Sequence, residues 1–85
     1  MSEKVNRLNK LKSTNLIDRL NGILDCYDDR KVNDEEVALL QNIVKDERVI
    51  GGRRLSSYAV AALYLLGIKS FKIDEDAKAL ITELE

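Results

Sequence analysis

Residues 55–66 read Leu-Ser-Ser-Tyr-Ala-Val-Ala-Ala-Leu-Tyr-Leu-Leu, interrupted by only two serines. Small and straight-chain residues dominate the stretch, Gly51-Gly52 precedes it and Gly67 follows it, so it reads as a helix ended by glycine. A helix apolar nearly all round has no side suited to water, so it must lie in the middle of the fold or in an interface. It cannot cross a bilayer: the longest strongly apolar run, 58–68, is well short of the roughly 20 residues that a span requires. In the first case the remaining segments are arranged around this rod; in the second it faces a partner.

The absence of proline from all 85 residues favours helices with short connections. In residues 3–12 the spacing of Val5, Leu8 and Leu11 predicts a helix with Ser2 as its cap, and Ser13-Thr14-Asn15 reads as a break. Residues 15–27 place Leu16, Leu20, Ile23, Leu24 and Tyr27 on one face with Ile17 at its edge, while Gly22 weakens the helix or marks a close contact. Asn33 and Glu36 approximate a capping box with acids in the first turn, and Val37, Leu40, Ile43 and Val44 form the stripe of a helix expected to stop near Asp46. The last helix is expected to begin near Asp74, with Ala77, Leu80, Ile81 and Leu84 inward. No strand of useful length is predicted. The expected fold is all-α, a small bundle or orthogonal array of four to five helices in a single domain over 1–85, with 1–13 either a helical arm or continuous with the next helix.

Two stretches resemble known families. Residues 25–36 begin with Asp25 and end with Glu36, carry Asp29 at the fifth place and Asn33 at the ninth, and hold Val32 where an apolar residue is usual; helical patterns flank them. This resembles an EF-hand loop, with Tyr27 at a ligand place and Arg30 at the glycine place. The resemblance implies a helix–loop–helix responsive to Ca²⁺ held by Asp25, Asp29 and Glu36. Without it, the same residues read as a solvated turn followed by an acidic helix entrance, with no metal. Second, Asp46, Ala59, Ala62-Leu63 and Leu66-Gly67 are similar to the inner-helix pattern of HEAT-type repeats, and the acids 34–36 and 74–76 recur at an offset of 40. That resemblance implies stacked helical hairpins.

Composition narrows the chemistry. There is no histidine, the commonest general base and metal ligand, and Cys26 is the lone thiol, set among Asp25, Asp28 and Asp29, which disfavour a thiolate. No enzymatic activity and no cofactor are expected. A single thiol fits a reducing compartment, and the charged start MSEKVNRLNK lacks a signal peptide's apolar run, so the expected location is cytoplasmic, away from membrane. Fourteen Lys+Arg against 15 Asp+Glu give a net charge of −1, which supplies no broad positive field. A nucleic-acid-binding alternative would need the N-terminal basic face (Lys4, Arg7, Lys10) together with Arg53 and Arg54. The reading these residues favour is a protein–protein interaction module, acting as adaptor, inhibitor or assembly subunit, that binds through Arg53, Arg54, Tyr58 and Tyr64 at and beyond the start of the fourth helix. A homodimer would account for the apolar helix equally well.

Overall fold

The computed structural model describes the backbone of residues 3–84 and the side chains from Arg7 to Leu84. The chain is all-α, with helices α1 (Glu3–Lys12), α2 (Leu16–Asp29), α3 (Asp34–Ile43), α4 (Leu55–Leu65) and α5 (Glu75–Leu84); a hairpin of two-residue strands, β1 (Val49–Ile50) and β2 (Arg53–Arg54), precedes α4. The expected Ser2 cap lies outside the described residues.

Helix α4 is the hub, packed against α2, α3 and α5. Leu55, Ala59, Ala62 and Leu63 enter the main core beside Leu11, Ile23, Cys26, Leu40 and Ile43. Ala61 enters a second, smaller cluster with Leu80 and Ile81 of α5, bordered by Tyr58, Tyr64 and Leu65. Serving two cores on opposite sides explains why the α4 sequence has no polar face. Its end is the expected one: Gly67 has φ 97, and the N–H of Ile68 donates back to the Leu63 carbonyl at 2.9 Å.

The local signals of α2 and α3 are realised with shifted ends. Asn15 caps α2 by accepting from the N–H groups of Ile17 and Asp18, and α2 runs two residues past Tyr27. Asn33 and Glu36 form a full capping box, while α3 ends at Ile43, earlier than expected. Gly22 marks a close contact: a Cβ there would stand 3.1 Å from Leu11.

Helix α1 packs on α2 and α3, and a buried ion pair fastens it. Arg7, 5% exposed, donates from Nε and Nη2 to Glu36, 1% exposed; it also donates from Nη1 to Asp29 at 2.9 Å and from Nη2 to the Lys31 carbonyl at 3.0 Å. The hydrogen bond to Glu36 is the main influence lifting Arg7 above the ordinary arginine pKa, against the opposing effect of burial. Glu36 Oε1 accepts from the Asn33 N–H as well, so one carboxylate both closes the α3 cap and holds α1.

This arrangement corrects the EF-hand expectation. Residues 25–29 are the last turns of α2, not a loop, and Arg30 ends the helix in the left-handed conformation (φ 58). Asp25 faces Lys10 at 3.0 Å, and Asp29 and Glu36 face Arg7, so a guanidinium stands where the resemblance would put a cation. No group of three or more acidic, Cys or His side chains converges among the described residues. The two acid-started helices α3 and α5 each pack chiefly on α4, whereas stacked repeats bring equivalent units against one another.

Candidate functional site

The residues before α4 form a hairpin, although the sequence predicts no strand of useful length. Gly51 and Gly52 have φ 62 and 82, the doubly positive pair of a type I′ turn, and Val49 and Ile50 pair antiparallel with Arg54 and Arg53. The signal was present as Gly-Gly between two short flanks, but strands of two residues carry no period-2 pattern. Ile50 packs inward against the main core, while Val49 stays 60% exposed.

Asp46 anchors the hairpin. Its carboxylate accepts from Arg48 Nη2 at 2.6 Å, from the Arg48 backbone N–H at 3.2 Å and from Arg19 Nη1 at 3.0 Å, and its carbonyl accepts from the Ser56 N–H at 2.7 Å. Arg48 Nη1 also donates to the Thr14 carbonyl at 2.8 Å, tying the hairpin to the start of α2. The side-chain hydrogen bond from Arg48, ahead of that residue's backbone N–H and Arg19, lowers the Asp46 pKa from 3.8 to about 2 against the effect of burial. The folded value lies below the unfolded one, so the resulting stability is present above pH 4 and is lost as pH falls from about 4 to 2. Allowing for solvent screening on the exposed Arg48 side, the loss should be about 1–2 kcal/mol. Urea melts between pH 5 and pH 2 should show a loss larger by that amount in the native chain than in Asp46→Asn.

The four residues expected to bind a partner all lie where α4 meets α5. Arg53 Nη1 is 2.6 Å from Glu83 Oε2, and Arg54 Nη2 is 2.8 Å from Asp74 Oδ2. Asp74 also accepts from the Ser57 hydroxyl at 3.1 Å and, as cap of α5, from the Ala77 N–H at 2.7 Å. Tyr58 and Tyr64 are both half-buried, each bordering the Ala61–Leu80–Ile81 cluster. The Tyr58 hydroxyl lies 3.9 Å from where a Cβ on Gly51 would stand, and Lys69 Nζ sits 4.8 Å over the Tyr64 ring. The arginines are thus engaged within the chain and not free. Compared with protein-family models, curated proteins and solved structures, the chain matches none.

The remaining candidates fall elsewhere. Arg7 is buried, Lys10 pairs with Asp25 and Lys12 with Glu35 at 3.5 Å, so the described part of the N-terminal basic face is committed to internal acids; the Lys4 side chain lies outside the described residues. Cys26 is fully buried, and burial first pushes its thiol up to about 12, with Glu36, Asp25 and Asp29 adding to the effect and Arg7 opposing it. A depression lined by Glu75, Lys78, Ala79, Thr82 and Glu83 on the outside of α5 is open surface and not an enclosed cavity. No helix among the described residues is long and apolar enough to cross a membrane.

Proposed function

We propose that the chain is a non-enzymatic protein-binding module, an adaptor, inhibitor or assembly subunit, whose contact surface is the hairpin and the start of α4. The observation that carries this reading is Val49, 60% exposed on a braced hairpin and the cross-strand partner of Arg54. Cross-strand partners share a face of the ladder, so an exposed apolar side chain stands beside Arg54, while Arg53 pairs with Ile50 and Tyr58 follows in the first turn of α4. Arginine, tyrosine and an apolar residue held on a fixed scaffold are the composition of an interface centre. The lone, unpaired Cys26 supports a cytoplasmic setting.

Tagged full-length chain should capture a protein partner from native cytosol, and Arg53→Glu, Tyr58→Ala and Val49→Asp should each abolish that capture while far-UV circular dichroism stays unchanged. Capture that survives all three substitutions would put the contact surface elsewhere.

A further inference from the structure

Building on this protein-binding reading, we propose that α5 is a removable cover, and that the α4 face beneath it receives an acid-flanked amphipathic helix of a partner protein. The second core cluster contains only Ala61 from α4 with Leu80 and Ile81 from α5, edged by Tyr58, Tyr64 and Leu65. Helix α5 packs chiefly on α4, and beyond that packing it is held by the two ion pairs already described and by the Ser57 hydroxyl bond to its cap Asp74. All four of those charged side chains are partly exposed, and pairs of that kind contribute little and weaken further with salt.

The tether suits such a cover. Residues 66–74 join two neighbouring helices with nine residues, beyond the ordinary two to eight. After Ile68 N–H bonds to Leu63, the next backbone–backbone hydrogen bond is Lys78 N–H to Asp74, and residues 69–73 make none. A segment with few backbone bonds and a small satellite core opens before the rest of a fold.

Helix α5 also shows what the exposed face would accept. Its Ala77, Leu80 and Ile81 supply the i, i+3, i+4 stripe of a groove-binding helix. Asp74, three residues before that stripe, and Glu83, two residues after it, meet Arg54 and Arg53. A partner helix with the same stripe and flanking acids would satisfy both arginines once α5 swings away. Basic flanks would meet like charge there and be rejected.

The probe is a fluorescent peptide with the sequence of residues 72–84, added to the full chain and to full-length Asp74→Asn/Glu83→Gln. Asparagine preserves the helix cap while removing the charge. The peptide should bind this variant at least tenfold more tightly than the native chain, because it restores acids that the variant's own α5 lacks. Adding Arg53→Glu and Arg54→Glu should abolish that binding. Independently of any variant, α5 amides of the native chain should exchange with solvent at least tenfold faster than those of α4. Equal peptide binding by both chains would overturn the proposal. So would exchange of α5 and α4 only in one global opening, or a dimer with α5 traded between copies that excess peptide does not dissolve. If these tests fail while Arg53→Glu still abolishes partner capture, the surface stands and only the cover is wrong.

Discussion

Replacing Arg7 by Met should lower the stability of the fold by about 3–5 kcal/mol, the cost of leaving a buried charge without its partner. Glu36 would remain 1% exposed, with the Asn33 N–H as its only remaining donor among the described residues. Asp29 and the Lys31 carbonyl would lose less, since both face water and can be hydrated there. A chain of this length has about 4–13 kcal/mol in total, so the substitution should remove a large fraction of the stability. Urea melts of native chain and variant measure the difference directly.

Adding Glu36→Gln to Arg7→Met should recover about half of that loss. Glutamine keeps an acceptor for the Asn33 N–H, so the capping box survives while the stranded charge disappears. Glu36→Gln alone should cost less than Arg7→Met alone, because Arg7 keeps Asp29 and Lys31 as acceptors and its methylenes stay packed. Were all three proteins equally stable, the buried ion pair would contribute nothing to holding α1.

The difference between Glu36 and α4 shows which parts of this fold are legible in sequence. The α4 rod, its Gly67 stop and the Asn33–Glu36 cap arise from residues within a few positions of one another, where spacing determines geometry. Burial of Glu36 depends on Arg7, 29 residues away, and nothing in the local pattern distinguishes an acid that only serves a helix dipole from one that also closes a long-range ion pair. The same ambiguity produced the EF-hand likeness. Asp25, Asp29, Asn33 and Glu36 fit a loop by spacing, but Cys26 and Ile23 are buried, and the apolar contacts extend α2 through Asp29. For the candidate surface, Arg53, Arg54 and Tyr58 were visible as composition at a helix start. Their pairing with Glu83 and Asp74, and the exposure of Val49, follow from where α5 and the hairpin land in space.

Leu11→Ala should be the next most damaging change, at about 2–5 kcal/mol. Leu11 is 0% exposed and sits where α1 crosses α2 at Gly22, whose missing side chain permits the approach: a Cβ there would lie 3.1 Å from Leu11 Cγ, Cδ2 and backbone N. Gly22→Ala therefore sets two effects against each other. Alanine in a helix interior gains about 1 kcal/mol over glycine, but the Leu11 backbone must retreat by a few tenths of an ångström, and Arg7, one turn earlier, resists because its guanidinium is clamped by Glu36 and Asp29. Crowding should win: an overpacking cost of about 2 kcal/mol, the middle of the usual range, makes Gly22→Ala net destabilising by about 1 kcal/mol. In the Leu11→Ala background two of the three close atoms are gone, so Gly22→Ala should become neutral or stabilising there. A double-mutant cycle by urea melts should yield a favourable coupling of about 1 kcal/mol. Strict additivity would mean that the two helices do not meet at this pair, and that glycine is there for some reason other than proximity.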